Sequence, residues 1–106
     1  LKYCDVIVGT GTLVVPTSTV RVNYTGRLDD QRGTVFDSTD GRSPAQFGLN
    51  QVIQGWQEGL GQYDMHAGGT RLLIIPPDLG YGGQTRTGIP PNSTLWFQVD
   101  VLEVLP

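Results

Sequence analysis

The chain holds one histidine, His66 in "YDMHAGG", one cysteine, Cys4, and one lysine, Lys2. Attack by a nucleophile needs a base and an orienting group beside it. The serines Ser18, Ser38, Ser43 and Ser93 sit in no nucleophile-elbow pattern. His66, flanked by glycines, is expected in an exposed loop with no special role. One cysteine forms neither an internal disulfide nor a thiolate-built metal site, and Cys4 is expected to be a small buried hydrophobe. No metal ligand set and no cofactor motif emerges. "GTGT" and "GYGG" lack both the phosphate-loop lysine and the GxGxxG spacing, so they read as turns. Asp37 and Asp40 invite comparison with the paired carboxylates of glycoside cleavage, but their separation places them in a single turn.

Rings are better supplied than bases. Tyr24, Phe36, Phe47, Val52, Ile53, Trp56, Tyr81, Ile89 and Phe97 all lie close to turn signals. Taken singly, each reads as core. Tyr81 in "LGYGG" and Ile89 in "TGIPPN", however, occupy loops too rich in Gly and Pro for a sheet interior. "FDSTDGRSPAQF", Phe36 to Phe47, brackets polar turn residues with two rings and includes Asp37 and Arg42, the ingredients of an ion pair. A concave apolar site with a few polar groups explains why loops carry such side chains.

Strands and one helix must position these residues. "TVRVNYTG" alternates, with Val20, Val22 and Tyr24 on one face, and Gly26 ends or bends the strand. "TLWFQVDV" places Leu95, Phe97, Val99 and Val101 inward, with a bulge or strand end near Glu103. "TRLLII", Thr70 to Ile75, reads as a central strand stopped by Pro76 and Pro77. "LKYCDVIVGTG" supplies another short strand before a Gly9-Thr10-Gly11 turn. "NQVIQGWQEGL" spaces Ile53, Trp56 and Leu60 as on a helix, while Gly55 and Gly59 clear a second stripe. Each interior glycine costs a helix about 1 kcal/mol relative to Ala, a cost that close approach to a sheet offsets. The expected architecture is α+β, an antiparallel sheet curled around one short α-helix, with residues 1–106 forming a single domain.

Composition narrows the function. A net charge of −3 without a basic cluster argues against nucleic acid as a partner. The longest apolar stretch, Leu72 to Ile75, is too short to span a membrane. The chain begins at Leu1, so processing or trimming is expected and the compartment stays open.

At "VNYTG", "FDS", "VIQGWQEGL", "IPPDLGYG" and "GIPPNSTLWFQVDVLEV" the chain resembles the FKBP family of peptidyl-prolyl cis/trans isomerases, the immunophilins. The resemblance covers essentially the whole chain, with the motifs in the family's order. It implies a five- to six-stranded antiparallel half-barrel wrapped around one short helix. It also implies catalysed rotation of X-Pro peptide bonds without a cofactor or metal. Asp37, Tyr81 and Phe97 would be the catalytic residues, and Tyr24, Phe36, Arg42, Val52, Ile53, Trp56 and Ile89 would bind substrate. Trp56 would be the pocket floor, Phe36 and Phe97 its walls, and Tyr81 and the Ile53 N–H its donors. Arg42 would hold the Asp37 carboxylate, and Phe47 would point into the core.

Partners implied by the resemblance are proline-containing peptides, folding proteins and macrolides such as tacrolimus or rapamycin. The unit would act as a monomeric domain or as part of a larger assembly. A chaperone role is compatible with it. "YCDVIVGTG" and "GGTRLLIIPP" are similar to bacterial or plastid-lumen members. The chain departs from the common pattern at Ala45, Gln51 and Arg86, in a shorter loop at Ile89 and in a longer segment after the helix. The alternative function is a non-catalytic module that binds a proline segment or serves assembly. A hydrolase built on Asp37 and Asp40 is a further rival.

Overall fold

A computed structural model describes Leu1–Pro106 and contains six strands and one α-helix. In chain order these are β1 (Lys2–Ile7), β2 (Thr19–Leu28), β3 (Val35–Ser38), β4 (Ala45–Gly48), α1 (Gln54–Gly61), β5 (Thr70–Ile75) and β6 (Leu95–Leu105). The strands form one antiparallel open sheet in the order β1-β5-β6-β2-β3, with β4 pairing the same edge of β2 as β3 does. The α+β class expected from the strand and helix patterns is the class observed.

Alternation explains which faces meet the helix. Val20, Val22, Leu95, Val99 and Val101 are essentially solvent-free and form the core with Leu49, Leu60, Leu73 and Ile75. Gly55 and Gly59 permit the approach of α1. A methyl group at Gly55 would lie 2.5 Å from Ile75 Cγ2, and one at Gly59 would lie 2.6 Å from Leu73 Cδ2. The glycine stripe therefore seats the helix on β5, which offsets its poor helix propensity.

Three local expectations change. First, β2 does not end at Gly26 but runs on to Leu28, with its register against β3 shifting between Gly26 and Arg27; the missing side chain there makes room for rings, since a Cβ would stand 2.6 Å from Phe36 Cζ and 2.7 Å from Phe97 Cε1. Second, Cys4 is exposed. It lies on β1, an edge strand that pairs only with β5 and whose residues are all exposed. Third, the two ends of the segment from Phe36 to Phe47 belong to strands, Phe36 to β3 and Phe47 to β4. The bulge anticipated near Glu103 does occur: Arg21 pairs with Glu103 and Val22 with Val101, leaving Leu102 as the extra residue.

Candidate active site

β3 and β4 dock on β2 on either side of Tyr24. Asp37 pairs with Gly26, and Phe47 pairs with Val20. Between them the buried Thr39 takes over the ladder, its Oγ1 accepting from the Tyr24 N–H at 3.0 Å and its own N–H donating to the Tyr24 carbonyl at 2.9 Å. Phe36 and Phe47 thereby flank one side of a cavity of about 330 Å³. β6 contributes Phe97, the segment ahead of α1 contributes Gln51, Val52 and Ile53, and the loop after β5 contributes Tyr81 and Arg86.

Trp56 lies in the first turn of α1, is 4% exposed and lines this cavity. Tyr24, Phe47 and Phe97 stand nearly perpendicular to its indole, with centroids 5.3, 5.7 and 5.4 Å away. Phe36 meets Phe97 edge-on at 5.5 Å. Each such pair contributes about 0.5–1.5 kcal/mol beyond burial. Mutual edge-to-face contacts of this kind fix the rings before any ligand arrives. The indole Nε1 is buried without a hydrogen-bond acceptor, so this ring is held by packing alone.

Polar groups sit at the rim. The Tyr24 hydroxyl donates to Asp37 Oδ2 at 2.6 Å, a short charge-assisted bond. Burial raises the Tyr24 phenol pKa far above its ordinary value, the bonded Asp37 carboxylate adds to the rise, and Arg42 opposes it. Ile53, the residue that caps the start of α1, makes no side-chain cap bond, so the first amides of the helix have no intrachain side-chain acceptor. Gln57 Nε2 donates to the Val52 carbonyl at 2.8 Å and fixes the backbone before the helix. The Arg86 guanidinium lies over the Tyr81 ring, 4.6 Å from its centroid.

Of the residues singled out in the sequence, the cavity gathers Tyr24, Phe36, Asp37, Val52, Ile53, Trp56, Tyr81 and Phe97. Arg42 and Ile89 stand elsewhere. Arg42 makes no ion pair with Asp37, since the salt bridges of the chain are Arg21–Glu103 and Arg71–Asp5. The Asp37 carboxylate bonds to the Tyr24 phenol, and Arg42 lines a separate polar hollow with Asn23, Thr39 and Asp40. Ile89 is 5% exposed and belongs to the core. Phe47, expected in the core, is half-buried and lines the cavity, as do Gln51 and Arg86, which had no assigned role. The strand pairing that brings Phe47 beside Trp56 was the missing signal. His66 stays outside, its Nδ1 2.9 Å from the Gly11 carbonyl oxygen.

Residues 11–102 match the family of FKBP-type peptidyl-prolyl cis-trans isomerases. A "Probable FKBP-type peptidyl-prolyl cis-trans isomerase" of Haemophilus influenzae is 49% identical over 108 residues, covering 100% of this chain and 43% of that protein. An "FK506-binding protein" of Neisseria meningitidis serogroup C is 46% identical over 98 residues, covering 89% of this chain and 86% of that protein. The crystal structure of FkpA from Escherichia coli superposes with a TM-score of 0.88 at 46% identity, over 98% of this chain and 47% of that one. The chain thus spans less than half the length of the Haemophilus relative and of the FkpA chain.

Proposed function

The chain belongs to the FKBP-type peptidyl-prolyl cis-trans isomerase family, and on that footing we propose that its cavity accelerates rotation about X-Pro peptide bonds. The observation that carries this reading is the rigid aromatic hollow over Trp56, about 330 Å³ in volume, within the range of small-ligand sites.

Rotation breaks no covalent bond. The imide nitrogen and carbonyl lose conjugation on the way, against a barrier of about 20 kcal/mol in water. The planar imide is the more polar and better hydrated form, and the twisted state has lost much of that charge separation. A hollow that strips water from the imide therefore raises the planar form relative to the twisted one. Only such differential stabilisation accelerates the step. In this reading the proline ring rests on Trp56 between Phe36 and Phe97, beside Val52. The Tyr81 hydroxyl and the Ile53 N–H donate to substrate carbonyls and hold one of them out of plane. Asp37 fixes Tyr24, which keeps the ring cluster square to the floor. No proton changes hands.

Proline-containing peptides and folding proteins are the substrates on this account, and a macrolide of the tacrolimus type competes for the hollow. The Haemophilus, Escherichia and Neisseria relatives, all bacterial, support a bacterial type of member, although a relative from Neurospora crassa is 44% identical over 92% of the chain. No helix is long and apolar enough to cross a membrane. A protease-coupled assay on a proline peptide tests the proposal. Accelerated cleavage of the cis fraction, abolished by tacrolimus, is the expected result. Binding of the peptide with no change in its isomerisation rate would instead identify a non-catalytic module.

A further inference from the structure

Two charged residues line the cavity, Asp37 and Arg86, and they differ in what they are free to do. One Asp37 oxygen is taken by the Tyr24 phenol at 2.6 Å. Arg86 has no carboxylate partner: the two ion pairs of the chain are made by Arg21 and Arg71. Its guanidinium carbon lies over the ring of Tyr81, itself a lining residue, 4.6 Å from the centroid. A cation held over a ring face in this way keeps N–H donors for an anion.

The backbone beneath Arg86 is fixed as well. Its N–H donates to the Ile89 carbonyl at 3.1 Å, and the Ile89 N–H returns a bond to the Arg86 carbonyl at 2.9 Å. Thr87 and Gly88 form the two-residue turn between them, with Gly88 at φ +77° supplying the left-handed conformation. Because the Ile89 side chain is buried in the core, the backbone from which Arg86 projects is anchored at the rim, and contact with the Tyr81 ring orients its side chain. A held, unpaired cation at the mouth of an apolar hollow loses less side-chain freedom on meeting an anion than a mobile surface arginine would.

We infer that Arg86 is a specificity-determining residue that favours substrates carrying a carboxylate side chain next to the proline. This rests on the peptide-binding reading of the same cavity. The side chain is exposed, so the preference is modest, about threefold in kcat/KM for a glutamate over a lysine peptide, and it shrinks as salt rises.

The test uses pentapeptides with Glu, Gln or Lys immediately before or immediately after the proline. For each, kcat/KM is measured by NMR exchange and Kd by titration, at low and high salt, for wild type, Arg86→Gln and Arg86→Glu. The inference predicts a Glu-over-Lys preference at one or both positions in wild type, lost in Arg86→Gln and reversed in Arg86→Glu. Wild type with no charge preference, or a preference unchanged in Arg86→Glu, overturns it. Charge-dependent Kd values without any catalysis would uphold the inference while refuting the isomerase reading. Absence of both binding and catalysis would refute both.

Discussion

Tyr24 joins the ring cluster to the rim: its ring stands edge-on to Trp56 and its hydroxyl bonds Asp37. The inward position of Tyr24 on β2 was legible from alternation, but the partner of Asp37 was not. Local spacing favours Arg42, five residues on, whereas the pairing of Thr25 with Ser38 and Gly26 with Asp37 brings the carboxylate to Tyr24. An exposed ion pair gains little after its side-chain entropy is counted, so a short bond to a half-buried phenol wins. Burial of the phenol, together with this bond, has a pH signature. Folding raises the Tyr24 pKa above that of the unfolded chain, so the folded state holds the proton more tightly. The associated stability is complete below about pH 10, the ordinary tyrosine value, and is lost as pH rises beyond it. Thermal melts from pH 8 to 11 should show wild type weakening above about pH 10 more steeply than Tyr24→Phe. Parallel profiles would show that folding does not raise the Tyr24 pKa.

At the scale of elements, α1 and β1 depend on contacts of very different kinds. The glycine stripe of α1 was readable because its four-residue spacing has a single steric meaning. Gly55→Ala gains about 1 kcal/mol of helix propensity. Yet its methyl would stand 2.5 to 2.8 Å from three atoms of Ile75, an overpacking that costs about 1–3 kcal/mol. Urea unfolding should therefore show net destabilisation, partly relieved by adding Ile75→Val. A stabilised Gly55→Ala would mean that helix and sheet are less closely apposed.

β1 is held by Arg71, which is 1% exposed although it reads as an ordinary polar residue ahead of an apolar run. Its Nε donates to Asp5 at 2.6 Å, its Nη1 to the Gly59 carbonyl at 2.8 Å and its Nη2 to the Asp64 carbonyl at 3.1 Å. Arg71→Met strands these acceptors and should cost about 2–3 kcal/mol by urea unfolding, with Lys a poor substitute because it lacks the planar fork. A loss under 0.5 kcal/mol would be incompatible with this tie. β3 and β4 escaped notice for a simpler reason: four residues each leave no room for a period to show.

Taken whole, the molecule is an antiparallel sheet that curls over one helix and leaves the open end of the curl lined with rings. Class and strand pattern were legible because burial imposes periodicity. The mouth of the cavity was only partly so, since Phe47, Gln51 and Arg86 reach it through pairings and turns that span the sequence. Catalysis by desolvation and orientation moves no proton, so kcat/KM should vary less than about twofold from pH 6 to 9 and be indifferent to chelators. A sigmoidal dependence in that profile would point instead to a proton transfer in the rate-determining step.

The most direct measurement is NMR exchange between the cis and trans forms of a proline peptide, with catalytic amounts of wild type and of Phe36→Ala, whose folding is checked by circular dichroism. Wild type should speed the exchange well above the spontaneous rate. Removing one wall of the hollow should cost at least tenfold, about 1.4 kcal/mol in the barrier. Equal rates with and without wild-type protein, or with wild type and a folded Phe36→Ala, would contradict the claim that the apolar hollow lowers the barrier to prolyl rotation.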